Sequence, residues 1–517
     1  MKKALAIILS VILLLSLAAC ETVPDTPDVP DTSAREEEPK QPVTLVVSPA
    51  GSTADGSVDK PFSSIEKAVK SAFLADSDKY SNVTVLIKEG AYTIDSTITI
   101  EKVEGHAPVR IVGEGNVTVS GTTESELFLV YGDGVTIENL KFTSVLGNGI
   151  AVSADNFSLL NCEITGVQGE YAVKAVGNNL TIEGNHIHGC SGSAIIVSGG
   201  DLETLTKSSS KIYNNLISDF GTSEDRESVG IGAYGVDVVV SHNEICNSTD
   251  GAIEFRGGYI TLEYNKISDV LTSGKENGAI TTSGIVQVGN VIRYNHIQNV
   301  GDRANPATNE SKSCGIKCED AASYYEVYGN IIESVTGNGI KLDSRCATIR
   351  NNLLIDCTNW YIWHVTSGYT NFFKWRNDSQ VDVPDYIYSP VWKSANPDLA
   401  SIVTDMGQTT FTDPRSWAAP TGIVLENNWV HFNRYGRAFN NWGTSPYSVD
   451  EAVFRFSGET LDLEGSFDHG SKNISIYNSK RNKLVFEDLF REAGDVIDMD
   501  MTRFDRIGRV TDEQDSK

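Results

Sequence analysis

The sequence predicts an all-β solenoid, a parallel β-helix, on the strength of two recurring phrases and the absence of helical spacing around them. The first phrase reads Asn185-His-Ile, Asn215-Leu-Ile, Asn243-Glu-Ile, Asn265-Lys-Ile, Asn295-His-Ile, Asn330-Ile-Ile and Asn352-Leu-Leu, at intervals of 30, 28, 22, 30, 35 and 22 residues. The shortest interval is one bare coil, and the longer ones are the same coil with a loop added. Such a period marks a solenoid, whose repeats bury an apolar face only by stacking on their neighbours. The second phrase is a small residue, an aliphatic one, then alternation: Gly230-Ile-Gly, Ala252-Ile-Glu, Ala279-Ile-Thr, Gly315-Ile-Lys and Gly339-Ile-Lys. Alternation indicates strand, and short strands repeating without hairpin turns fit a parallel β-helix. Asparagines recurring at one coil position then stack as a ladder, amide to amide.

Lys2 and Lys3 precede an apolar run from Ala4 to Leu17, followed by Ala18-Ala19-Cys20. A basic start, an apolar core and small residues make residues 1–20 a secretory signal, too short for a membrane span. The Leu17-Ala18-Ala19-Cys20 ending resembles the bacterial lipobox, which implies lipidation of Cys20 and an exported, membrane-tethered protein. Residues 21–42 are rich in Pro, Asp and Glu, with too few apolar groups to fold, and read as a linker. Residues 43–517 show no second linker and are expected to form one β-helix domain. Within it, Ile65, Ala68, Val69 and Ala72 share one helical face, predicting an amphipathic helix that caps the open N-terminal end. Short alternating strands from Val83 to Phe142 indicate an early start, with Asn139-Leu-Lys-Phe and Asn161-Cys-Glu-Ile as variants of the coil phrase. The rhythm breaks at an aromatic insertion, about residues 358–425, and a C-terminal cap is expected over about 436–517.

The formal charge of −27 argues against nucleic acid, whose binding rests on Lys and Arg contacts to phosphate. Besides Cys20 there are seven cysteines, expected mainly as small core residues, with one or two disulfides compatible with export. Cys314, Cys318 and Cys346 lack a fourth soft ligand at suitable spacing, so no metal site is predicted.

Strand parity locates the chemistry. The aliphatic residue after each Ala or Gly points inward, so residues one and three beyond it point outward. The outward pairs of four successive coils are Glu254 and Arg256, Thr281 and Ser283, Lys317 and Glu319, Lys341 and Asp343, with Arg345 at the same parity. Rungs about 4.8 Å apart would make Glu319 and Asp343 near neighbours. Carboxylates about 5 Å apart suit a retaining glycosidase, and about 6.5–9.5 Å an inverting one. A solvated face whose charges merely pair is the plain alternative. The insertion adds Trp360, Trp363 and Trp375, which could wall a sugar cleft because aromatic faces stack on pyranose rings, or could serve only to give it a small core.

Glu276-Asn-Gly-Ala-Ile, Gly289-Asn-Val-Ile-Arg-Tyr-Asn, Gly315-Ile-Lys-Cys-Glu-Asp, Val327-Tyr-Gly-Asn and Asn351-Asn-Leu-Leu-Ile-Asp-Cys resemble glycoside hydrolase family 141. The resemblance covers roughly residues 45–435 and implies a right-handed, pectate-lyase-like β-helix of the α-L-fucosidase and xylanase type. It implies catalytic roles for Glu276, Glu319 and Asp320, where the family usually has Asp. Three functions follow. One is a glycoside hydrolase using Glu276, Glu319, Asp320 and Asp343 on a polysaccharide, with Glu254, Arg256, Lys317, Lys341 and Arg345 binding substrate and no cofactor. Another is a polysaccharide lyase or epimerase with Lys317, Lys341 or Arg345 as base, in which acidic residues could hold calcium. The third is a non-catalytic glycan-binding protein.

Overall fold

The computed structural model describes residues 40–223, 227–284, 286–304, 312–365, 384–397, 422–431, 437–442, 451–456 and 507–510. Cys20, the signal and nearly all of the linker lie outside them, as do Trp375 and most of the expected C-terminal cap.

The chain winds as a right-handed parallel β-helix with three sheets. One coil shows the plan: Gly251–Gly258 lies in the first sheet, Thr261–Glu263 in the second and Lys266–Val270 in the third. The next coil repeats this in parallel register, Ile253 against Ile280, Leu262 against Ile292 and Ile267 against Ile297. Parity holds as predicted. Ile253, Phe255, Ile280, Thr282, Ile316, Cys318, Ile340 and Leu342 point inward and are buried. Their stacking makes a continuous apolar core that no single coil could enclose.

The asparagine ladder closes the turn between the second and third sheets. Asn185, Asn215, Asn243, Asn265, Asn295, Asn330, Asn352 and Asn428 are all fully buried. From Asn185 to Asn352 each Nδ2 donates to the Oδ1 of the next at 2.9–3.0 Å, and all eight donate to a main-chain carbonyl. The ladder thus satisfies turn carbonyls that would each cost about 1–3 kcal/mol if buried unpaired. The residue before each ladder position turns the chain left-handed, as Asn214, His242, Tyr264, Tyr294 and Asn351 do with φ between +52° and +57°. The two early phrases are offset by one. Asn139 and Asn161 take that left-handed turn themselves, while the ladder position beside Asn185 is Cys162, whose N–H donates to Asn185 Oδ1 at 2.9 Å. Asn tolerates left-handed φ, so one residue type serves two adjacent positions and the phrase alone does not separate them.

The helix forms at Ile65–Ala72, with Ile65, Ala68, Val69 and Ala72 buried and Ser64 Oγ accepting from Lys67 N. It packs against strands Gln41–Ser57, Tyr80–Ile94 and Ile98–Ile100. All seven described cysteines are free thiols; Cys162, Cys190, Cys314, Cys318 and Cys357 are buried and Cys246 and Cys346 half-buried. Of the insertion, residues 384–397 hold a short helix, Pro390–Ala395. Its Trp392 is fully buried, and its Nε1 donates to Leu202 O at 2.8 Å.

Candidate functional site

The predicted charged cluster lies on the outer face of the first sheet. Register places Glu254 beside Thr281, Thr281 beside Lys317 and Lys317 beside Lys341. Lys317 and Lys341 are 5% and 9% exposed, so their ammonium groups must be paired. They are, chiefly by one carboxylate. Glu319 Oε1 lies 2.5 Å from Lys317 Nζ and Glu319 Oε2 3.4 Å from Lys341 Nζ. Glu276 Oε1 approaches the same two ammonium groups at 4.0 and 3.8 Å, although its side chain is 60% exposed. Burial acts to lower the proton affinity of Lys341, but Cys314, Glu319 and Glu276 more than offset it, so its pKa is raised. Lys341 therefore holds its proton firmly at neutral pH.

One loop places Glu276. Lys275, its neighbour, pairs with the buried Asp250 at 2.5 Å, and burial raises the Asp250 pKa with Lys275 opposing. Sequence reasoning missed this pair, because Asp250 lies outside the strand whose parity was read. It also passed over Tyr234, which sits beside Arg256 in register. Burial, then Glu254, pushes the Tyr234 phenol up, while Glu254 pairs with Arg256 at 2.9 Å.

The register of the first sheet breaks where the acidic doublet falls. Cys318 faces Leu342 and Ala322 faces Ser344, so Glu319, Asp320 and Ala321 together oppose Asp343 alone. A bulge of this kind re-aims side chains and interrupts pairing. Glu319 and Asp343 are consequently not simple rung neighbours. Asp343 and Arg345 are each only 3% exposed, whereas parity alone would leave them open to solvent.

The bulge also explains Asp320. In earlier coils the corresponding residue is glycine: Gly235 and Gly257 face each other in register, at φ +97° and +133°, and Gly284 follows at +87°. A Cβ at Gly257 would lie 1.9 Å from Gly235 O. The pairing of Ser283 with Glu319 puts Asp320 next in this column, with φ +54°. An aspartate thus holds a left-handed position that earlier coils fill with glycine, and the bulge supplies the room. Burial raises the Asp320 pKa, Glu319 adds to it, and Lys317, Arg256 and Lys341 oppose. Trp360 and Trp363 lie in strand Trp360–Val365, where Trp363 faces Lys341 in backbone register; their side chains fall outside the described residues.

The three carboxyls and two ammonium groups therefore set a carboxylate held by two lysines beside a carboxyl whose proton affinity burial raises. Among the described residues, a second group of polar side chains, Glu163, His186 and His188, gathers on the third sheet.

Residues 109–224 match a family described as "Right handed beta helix region". No curated protein matches the chain. Similar solved structures include a glycoside hydrolase at 10% identity and TM-score 0.44, covering 60% of this chain and 93% of that one. A GH136 lacto-N-biosidase from Eubacterium ramulus aligns at 13% identity and TM-score 0.39, covering 62% and 64%. A PL6 alginate lyase in complex with a trisaccharide aligns at 15% and 0.46, covering 87% and 90%.

Proposed function

We propose that this β-helix is a glycoside hydrolase acting on a complex polysaccharide, with Asp320 as general acid and Glu319 as the opposing carboxylate. The observation that carries the reading is the contrast between these adjacent residues. Glu319 has both oxygens engaged by buried ammonium groups, whereas Asp320 is pushed toward its protonated form. A carboxyl whose surroundings raise its proton affinity suits the role of acid, and a carboxylate held in place beside it suits the opposing role. The sequence resemblance to glycoside hydrolase family 141 at Glu276, Glu319 and Asp320 supports the same assignment.

In this mechanism Asp320 donates its proton to the leaving glycosidic oxygen. Glu319 stabilises or captures the developing positive charge at the sugar, or activates water from the opposite side. Glu276, tethered through the Lys275–Asp250 pair, contacts substrate from the solvent side. Arg256 and Glu254 bind sugar hydroxyls.

A polysaccharide lyase is the second reading, favoured by the stacked Lys317 and Lys341, which could neutralise a uronate carboxylate. The raised Lys341 pKa makes that lysine a poor proton acceptor at neutral pH, which places the hydrolase first. Product mass after incubation with a panel of plant and bacterial glycans separates them. Products that gain water, formed by the wild type and lost in Glu319→Gln, are expected. Unsaturated uronate ends would establish the lyase instead, and no product from any glycan would leave a binding protein.

A further inference from the structure

Glu163, His186 and His188 form a second site on the third sheet, and the coil that carries His186 and His188 lies five coils before the one that carries the acidic doublet. His186 and His188 alternate on strand His186–His188, so both rings emerge on the outer face, and Glu163 pairs with His186 in register from the adjacent rung. The side-chain ligand atoms of all three lie within 4.8 Å of one another. The imidazoles stack with centroids 4.2 Å apart and planes 25° apart, which brings their edges to one side.

We propose that this triad binds a divalent transition-metal cation of the zinc type, clamping two adjacent coils. Two imidazoles and one carboxylate are the ligand chemistry zinc accepts, with metal–ligand distances of about 2.0–2.2 Å and an open fourth position for water. Donor atoms around such an ion stand roughly 3.3–3.5 Å apart in a tetrahedron, so small side-chain rotations complete the site. His188 Nε2 lies 3.2 Å from Glu163 Oε1, close to the spacing of two donors on one cation. His188 Nδ1 meets Thr165 Oγ1 at 3.3 Å, and an outer hydrogen bond of this kind fixes the ring that presents the other nitrogen to a metal. Lys141 Nζ, 2.7 Å from Glu163 Oε1, is the competitor. Its side chain is 39% exposed, so it can leave for solvent when a cation arrives.

The test is equilibrium dialysis of the untagged full-length chain against micromolar Zn²⁺, with metal content and thermal midpoint as readouts. One equivalent of zinc retained, with a raised midpoint, is expected from binding to the folded state alone. His186→Ala and His188→Ala should each weaken binding by at least about tenfold, since even outer-shell changes cost that much. Lys141→Ala should tighten it by freeing Glu163, and Ca²⁺, which prefers all-oxygen sites, should not compete. No zinc retained by the wild type, or equal retention by the double His variant, would overturn the site. No tightening on Lys141→Ala would remove Glu163 from it.

Discussion

Asn330→Ala is the sharpest test of how this helix holds its active face together, because Asn330 lies between the strands that carry Lys317 and Lys341. Its side chain accepts from Asn295 N at 3.0 Å and from Asn295 Nδ2 at 3.0 Å. It donates to Ile292 O at 2.9 Å, Tyr328 O at 3.2 Å and Asn352 Oδ1 at 3.0 Å. Truncation removes all five bonds from a fully buried position. At a net value of about 1 kcal/mol per bond, the loss is about 4–5 kcal/mol, and the Asn295 N–H left without this acceptor works in the same direction. Such a change belongs to the exceptional class of substitutions. Denaturant titration should show a lower midpoint at unchanged slope. Turnover should also fall, because the two lysine rungs lose the tie between their turns. A loss below about 1 kcal/mol would refute the reasoning, since buried amides that are satisfied as described cannot be removed so cheaply.

Two further predictions follow from the site and its surroundings. Asp320 binds its proton more tightly folded than unfolded, so its stabilising contribution is complete below the unfolded carboxyl's pKa of about 3.9 and is lost as pH rises through the raised value. Asp320→Asn should therefore abolish turnover while raising the thermal midpoint at pH 7, with the gain shrinking toward pH 3; a variant less stable at pH 7 would contradict this. Trp392→Ala removes a fully buried indole and its bond to Leu202 O, a truncation worth about 3–5 kcal/mol in a packed core. Limited proteolysis should then cut within residues 384–397, and undiminished resistance there would show that Trp392 is not the anchor.

The coil architecture was legible because each repeat states it again. The interval between asparagines, the aliphatic residue after Ala or Gly and the alternation beyond it recur in register, so Ile253, Ile280, Ile316 and Ile340 could be placed inside, and Lys317 and Lys341 outside on adjacent rungs, from parity alone. A buried ladder of asparagines follows from the same periodicity, since only stacking satisfies amides at that turn. What parity cannot carry is a change in residue count between rungs. Three residues opposing Asp343 displace Glu319 from its expected neighbour and set Asp320 into a column otherwise made of glycine; the doublet was visible, its conformation was not. Burial of Asp343 and Arg345, and the pairing of Lys275 with Asp250, depend on tertiary packing around the strands, which parity does not encode. The Glu163, His186 and His188 group escaped for a related reason. Glu163 sits 23 positions before His186 and 25 before His188, and only the cross-rung register, fixed by packing of the whole coil, sets Glu163 against His186. Sequence by itself thus determined the repeating plan, which local periodicity encodes. Tertiary structure decided the chemistry, which depends on where that periodicity is broken.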